Sequence, residues 1–397
     1  MELARRLQQI KPSPTLALNA RARQLAAQGV DVVGFAAGEP DYDTPEYIKA
    51  AAVQALQQGF TKYTATAGIP ELRAAVREKF KRDNGLDYAV EQVLVTVGAK
   101  QALYNFFQAV VNPGDEVVIF APYWVSYPDM VRLAGGEPVV VETREEDGWA
   151  PSPEALRAAL TPRTRAVVFN SPSNPTGAVL PRAALEALGQ VLLGHDCLVV
   201  SDDIYEPLVY GDTPFANIVN AVPALKDRTL VVNGFSKSHS MTGWRLGYAA
   251  GPAPLVAAMT MVQDQSTSNA ASIVQKAGLA ALGGSGEELR QMRGEYRERR
   301  DLVVAALNAV PGISCRTPEG AFYVMANVKG LLAKTYKGAP LGSSMKMSEL
   351  LLSDFQVAAV PGEPFGAPGY LRLSFVTSRE KLRKGLERIG AFVAALG

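Results

Sequence analysis

The chain has 397 residues, too many for one core on a prior of roughly 150 residues per domain, and its 48% hydrophobic and 20% charged residues are those of an ordinary globular protein. Its 40 Lys+Arg against 39 Asp+Glu leave a formal net charge of +1, which gives no basis for a nucleic-acid partner or an anionic membrane surface. Two cysteines at no metal spacing and two histidines point away from a disulfide framework and a His-rich metal site, no run reaches the ~18 apolar residues of a membrane span, and nothing at the N-terminus reads as a secretion signal, so a cytoplasmic location is expected.

Residues 1–28 read as an arm. A short basic amphipathic stretch leads into Lys11-Pro12-Ser13-Pro14-Thr15, where the two prolines favour extended backbone, and a helix-like run follows through Arg21. From about 45 to 250, apolar strand-like runs alternate with helical patterns. Strands are expected at 93–97, 116–120, 166–170, 197–201 and 229–233, with helices at 99–111, 153–160 and 181–193 between them. Continuous apolar strands separated by helices predict an α/β architecture with a mostly parallel sheet covered on both faces. A helical stretch is expected over 253–282, and a long charged helix over 287–309 bridges to a second body. Strands at 321–326, 357–360 and 370–375, with a last helix from 379, make that body a smaller α+β domain, and the Gly- and Lys-rich stretch 334–345 reads as a surface loop. The expected organisation is an arm at 1–28, a large domain at 45–285 and a small domain built from 29–44 and 286–397.

Ligands of open parallel sheets bind beyond the carboxyl ends of the strands. The segments that come directly after the expected strands are polar and coherent. Gly98, Ala99 and Lys100 open a helix after the first. The sequence Ser171-Pro-Ser-Asn174-Pro-Thr-Gly177 comes after 166–170. Asp202, Asp203 and Tyr205 come after 197–201, and Ser236 and Lys237 after 229–233, with Arg245 further on. Taken singly, each has a bland explanation: a helix cap, a turn, one lysine among many. Their joint placement fits a phosphorylated pyridine cofactor. Lys237 offers the amine for covalent attachment, its pKa lowered by burial and neighbouring cations. Asp202 can hold a pyridine nitrogen protonated, so that the ring accepts electrons. Asn174 and Tyr205 can hydrogen-bond a phenolic oxygen. Backbone N–H groups at Gly98, Ala99 and Lys100, with Ser236 and Arg245, can cradle phosphate, and Trp124 offers a face for stacking.

At these positions the chain resembles the fold-type I aminotransferases of class I/II. The matching segments are Ser-Pro-Ser-Asn174-Pro-Thr-Gly, Ser-Asp202-Asp-Ile-Tyr205-Glu and Ser236-Lys237-Ser-His-Ser-Met-Thr-Gly-Trp-Arg245-Leu-Gly-Tyr. They extend to Ala-Gly38-Glu-Pro-Asp near the start and Arg372-Leu-Ser near the end, so the resemblance covers essentially the whole chain. Within the family the chain looks most like the bacterial-type aspartate aminotransferases, some of which also act on prephenate.

The resemblance implies pyridoxal 5'-phosphate held as a Schiff base on Lys237, and a ping-pong transfer of the amino group of L-aspartate to 2-oxoglutarate that forms oxaloacetate and L-glutamate. It implies that Gly38 meets substrate through its backbone, beside Trp124 and Asn174, and that Arg372 clamps the α-carboxylate with its guanidinium fork. It implies that Tyr63 reaches the phosphate of the other subunit's cofactor, which makes the protein a homodimer with the arm wrapped on its partner. Where the family has Glu after Ser-Asp, this chain has Asp203, a change expected to matter little. For the distal carboxylate, one branch of the family uses a partner arginine after the Arg245 strand, but 253–286 contains no arginine. The other branch implies Lys100, helped by Ser13 and Thr15, with Lys11 matching an arm lysine associated with prephenate. A plain helix-start cation remains the alternative for Lys100. The rival activities are a β-lyase of the same fold, a broad-specificity amino-acid aminotransferase, and a non-catalytic ligand-sensing domain. The last would need an attached DNA-binding domain, for which the arm is too short.

Overall fold

Seven strands share one sheet in the computed structural model, which describes all residues except 1, 2, 11 and 13 and the side chains of residues 14–16 and 19. They are β1 (Val93–Thr96), β2 (Glu116–Ala121), β3 (Glu137–Glu142), β4 (Thr164–Asn170), β5 (Leu198–Asp202), β6 (Thr229–Gly234) and β7 (Gly247–Ala250). Their order across the sheet is β1-β7-β6-β5-β4-β2-β3, and every neighbouring pair is parallel except the two made by β7. The architecture is α/β, as the alternation of strands and helices predicts.

The reason these segments pair is legible in their side chains. Val167, Val199 and Val231 enter one core with Leu72, Val76, Leu185 and Leu188 of the covering helices. Their neighbours Val168, Val200 and Val232 enter another, against Leu103, Phe106, Phe107 and Met259. Alternate residues of one strand therefore bury on opposite faces, and a sheet covered on both faces needs apolar residues at every position. The expected helices are present as Ala99–Val110, Pro153–Ala159 and Arg182–Leu193.

Several expectations need correcting. The strand β3 was not expected: it lies at the sheet edge, where only Val141 is fully buried, so its apolar signal is diluted by Glu137 and Glu142. The short strand β7 was also not among those expected. The stretch 253–282 is two helices, Ala253–Asp264 and Ser272–Leu282. Ser266, Thr267 and Asn269 between them turn their side chains onto local carbonyls, which competes with helical pairing. The loop expected at 334–345 contains a two-stranded pair, Thr335–Tyr336 with Ala339–Pro340, and the start of a helix, Ser344–Phe355. Ser343 caps that helix by accepting from the Lys346 N–H at 3.1 Å. In the arm, the helix Pro14–Ala27 begins at the second proline, which suits a first helical turn, and runs past Arg21.

A further core gathers Val33 and Phe35 with Val303 and Leu307 of the helix Glu287–Asn308, with Phe322, Val324, Leu371 and Leu373, and with Leu382 and Phe392 of the last helix, Arg379–Ala394. Its sheet has the antiparallel order β10-β11-β9-β8, with β8 (Ser314–Cys315), β9 (Tyr323–Asn327), β10 (Val360–Pro361) and β11 (Tyr370–Ser374). Ile204, Tyr205 and Leu208, just beyond β5, join this core, so it abuts the carboxyl ends of the large sheet. Among the described residues, no helix is long and apolar enough to cross a membrane.

Candidate active site

The ends of β4, β5 and β6, the start of the helix Ala99–Val110, the segment 36–38 and strands β9 and β11 enclose one cavity of about 550 Å³, within the range typical of small-molecule sites. Gly38, Ala99, Lys100, Trp124, Asn174, Asp202, Tyr205, Ser236, Lys237, Arg245 and Arg372 all line it. Residues scattered over more than three hundred positions of sequence thus meet in one place.

Asp202 ends β5 and is buried. Burial pushes its carboxyl up to about 6, while two donors work against that shift. The Tyr127 hydroxyl donates to Oδ2 at 2.6 Å, and the Ile204 N–H donates to Oδ1 at 3.4 Å. Next to it on β4, Asn170 donates from Nδ2 to the Asp202 carbonyl at 2.8 Å and accepts the Asn174 N–H on Oδ1 at 2.9 Å. One amide therefore ties the loop carrying Asn174 to the strand carrying Asp202. Asp203 turns away into a buried polar network, accepting from Ser201 Oγ at 2.6 Å and Asn217 Nδ2 at 2.9 Å, and burial pushes it up to about 7.

Lys237 follows β6 and donates to the Gly38 carbonyl at 2.5 Å. Burial lowers its pKa to about 8; Arg245 and Arg372 add to the lowering, while Glu39 and Asp202 oppose it. Its Nζ lies 5.9 Å from the centre of the Tyr205 ring and 5.8 Å from that of Phe322. No carboxylate of the described residues forms an ion pair with it.

Two glycines leave room at the start of the helix Ala99–Val110. Gly98 caps the helix Ala99–Val110 at φ +78°, and a Cβ there would lie 2.6 Å from Arg245 Nη2. A Cβ on Gly247 would strike the backbone of Gly98 and Ala99. Bare backbone at both positions lets a guanidinium approach the helix N-terminus. Arg245 itself holds φ +54°, a left-handed conformation rare for a side chain of this size, and its Nη1 donates to the Thr242 carbonyl at 2.9 Å. Ser236 adds a hydroxyl to the cavity wall. Lys100 stands at the mouth, exposed, with Nζ 4.8 Å from the centre of the Trp124 ring; partial desolvation and then the charge of Arg245 lower its pKa.

Arg372, on β11, is only 3% exposed. Nη1 donates to Asn174 Oδ1 and Nη2 to the Ala36 carbonyl, both at 3.0 Å, and Nε has no partner among the described residues. Because Asn174 Oδ1 accepts from Arg372, its amide nitrogen is the group left to donate into the cavity. Again no carboxylate of the described residues pairs with this guanidinium. A buried cation without a counter-ion is costly unless an anion joins it.

Sequence reasoning missed Tyr127, Asn170 and Tyr323, all of which line the cavity. Tyr127 lies three residues after Trp124, whose ring it meets edge-on at 5.3 Å, but that spacing alone does not call for a hydroxyl. Of the fully described residues expected at the site, Tyr63 is not among those that line this cavity. Tyr63 is 91% exposed and lies elsewhere on the surface. Lys11 and Ser13 lie outside the described residues, and Thr15 is described only as backbone of the helix Pro14–Ala27.

The donor set fits a phosphorylated pyridine: an amine of lowered pKa, a buried carboxylate, an anion cradle at a helix N-terminus and an aromatic face. The chain belongs to the aminotransferase class I and II family, whose model matches residues 30–389; members of this family are in general pyridoxal-phosphate-dependent. It is 52% identical over 392 residues to an aspartate/prephenate aminotransferase of Cereibacter sphaeroides, with 98% of each chain covered. It is 47% identical to an aspartate aminotransferase of Geobacillus stearothermophilus over the full length of both. Among solved structures it is similar to the aspartate aminotransferase of Rhizobium meliloti, with a TM-score of 0.97, 45% identity and full coverage of both chains. It is also similar to that of Thermus thermophilus with maleate, with a TM-score of 0.92, 49% identity and 99% and 100% coverage.

Proposed function

We propose that this chain is a pyridoxal-phosphate-dependent aminotransferase that moves the amino group of L-aspartate to 2-oxoglutarate, forming oxaloacetate and L-glutamate, with prephenate as a further keto substrate. The observation that carries this reading is the pair of cations, half-buried Lys237 and buried Arg372, which line one cavity with the carboxylate of Asp202 and have no ion-pair partner among the described residues. The names of the relatives support amino transfer over a β-lyase reaction.

Bound pyridoxal phosphate supplies an electron sink that stabilises negative charge at the substrate's α-carbon. The residues of the chain do the rest. Lys237 is the amine that holds the cofactor, and its lowered pKa suits it to move the proton at the substrate's α-carbon near neutral pH. Asp202 holds the ring nitrogen's proton by charge, and Tyr127 keeps the carboxylate in the position to do so. Asn174 Nδ2 and the Tyr205 hydroxyl hydrogen-bond the ring oxygen. Gly98, Ala99, Ser236 and Arg245 hold the phosphate, and Trp124 stacks on the ring. Arg372 and the Gly38 backbone receive the α-carboxylate. Lys100, with Ser13 and Thr15, receives the distal carboxylate, and Lys11 serves prephenate. The maleate in the Thermus thermophilus structure, a dicarboxylate, is in keeping with two carboxylate subsites.

Tyr63, exposed in the single chain, contacts the cofactor phosphate of a second copy in a cytoplasmic homodimer, with the arm at 1–28 on the partner. The catalytic cavity lies between a large domain at 45–285 and a small domain of 29–44 and 286–397. The test is a panel of amino donors and keto acceptors with the purified holoenzyme. Glutamate formed from aspartate and 2-oxoglutarate supports the reading. Pyruvate and ammonia from a β-substituted amino acid, without amino transfer, would replace it with the lyase.

A further inference from the structure

Tyr323 sits on β9, in the core of the antiparallel sheet, yet its side chain reaches the cavity between two residues with separate duties. Its hydroxyl and that of Tyr205 share a hydrogen bond of 2.9 Å, with the rings meeting edge-on at 5.9 Å. The Arg372 guanidinium carbon stands 4.4 Å from the centre of the Tyr323 ring, over its face. Both phenols are almost fully buried, Tyr205 at 3% and Tyr323 at 1% exposure, so neither hydroxyl has water to fall back on. Phe322 packs on Tyr323 at 4.7 Å and on Tyr205 at 5.4 Å, which fixes the two rings relative to each other. Phe365 stands 5.0 Å from the Arg372 guanidinium carbon, so the cation lies against two aromatic rings.

We propose that Tyr323 is a positioning residue that sets both the donor strength of the Tyr205 hydroxyl and the pose of the Arg372 guanidinium. This rests on the proposed function, in which Tyr205 serves the cofactor ring oxygen and Arg372 the α-carboxylate. When the Tyr205 hydroxyl donates a hydrogen bond to the ring oxygen, its own oxygen is left to accept, and Tyr323 donates to it. A donor to a hydroxyl oxygen polarises that hydroxyl and strengthens the hydrogen bond it makes onward. The ring face does a different task. It holds a planar cation by stacking, without a carboxylate that would compete with the substrate for the same charge. One side chain thus serves the cofactor through its oxygen and the substrate through its face.

The two tasks separate by mutation. Tyr323→Phe keeps the ring and removes the donor. Tyr205 then donates less strongly to the ring oxygen, and the anionic form of that oxygen is less favoured. The pH midpoint of the holoenzyme's visible absorbance should rise by about half to one unit, the worth of one neutral hydrogen bond. Tyr323→Leu removes both the donor and the face. It should raise the midpoint as well and add an increase in KM of roughly three- to thirtyfold, shared by aspartate and alanine because both carry the α-carboxylate. An unmoved midpoint in Tyr323→Phe overturns the role assigned to the hydroxyl. A KM in Tyr323→Leu no higher than in Tyr323→Phe overturns the role assigned to the face. The wild-type titration separates this inference from the one beneath it: wild type that retains no cofactor sinks the parent reading, whereas a coloured, active wild type with an unresponsive Tyr323→Phe sinks this one alone.

Discussion

Replacing Arg372 by Met keeps most of the stem length and removes the guanidinium, and the structure fixes the consequences. In the free protein, this cation is buried with two neutral acceptors, Asn174 Oδ1 and the Ala36 carbonyl, and an Nε that has no partner among the described residues. Losing a desolvated, hydrogen-bonded charge pair with a substrate carboxylate costs about 2–5 kcal/mol, or roughly thirtyfold to several thousandfold in kcat/KM. Because the α-carboxylate is common to all amino acids, the loss should be the same for aspartate and alanine. The effect on folding should be quite different. Leaving two buried acceptors unpaired costs about 1–3 kcal/mol each, but burying a guanidinium without a counter-ion also costs several kcal/mol. The two nearly cancel, so the apoprotein's unfolding free energy should change by about 2 kcal/mol or less. The assay pairs steady-state kinetics on both donors with thermal or denaturant unfolding of the apoprotein. A large drop in stability, or a loss confined to aspartate, would refute the argument, the first by making Arg372 a structural cation and the second by moving it to the distal subsite.

Lys100 should behave in the opposite way towards donors. Its replacement by Ala should lower kcat/KM for aspartate, glutamate and prephenate by about tenfold to a hundredfold, the worth of one charge-assisted contact, and should leave the value for alanine nearly in place; an unchanged aspartate-to-alanine ratio would return Lys100 to the role of a helix-start cation stacked on Trp124. Asp202→Asn keeps the hydrogen bond from Tyr127 in reach but removes the charge at the ring nitrogen. Cofactor should still be retained while amino transfer falls by several orders of magnitude, and near-normal turnover would show that another group protonates the ring.

Much of this was readable in the sequence because it depends on local patterns. Runs such as those of β4, β5 and β6 are apolar at consecutive positions, and only a strand buried on both faces asks for that. The polar residues after each run then fall at the carboxyl ends of the strands by topology alone, which is why Asp202, Lys237 and Asn174 could be grouped before any geometry was known. The residues that escaped are those whose meaning is a distant partner. Tyr127 acquires its role from Asp202, 75 positions away, and Tyr323 from Tyr205, 118 positions away. Neither sits in a local pattern that calls for a hydroxyl. Edge strand β3 escaped for a related reason: half its surface faces outward, so its composition mixes Glu with Val. The break between Ala253–Asp264 and Ser272–Leu282 was visible in the polar run 265–269, and was overridden by the apolar stretches on either side.

The most direct test of the central claim is to reduce the purified holoenzyme with borohydride and locate the modified peptide. The account predicts a yellow protein that loses its colour on reduction and carries the pyridoxyl group on Lys237, the half-buried lysine that lines the cavity with Asp202 and has its pKa lowered to about 8. A label on Lys100 or any other lysine, or a protein that retains no cofactor at all, would contradict it.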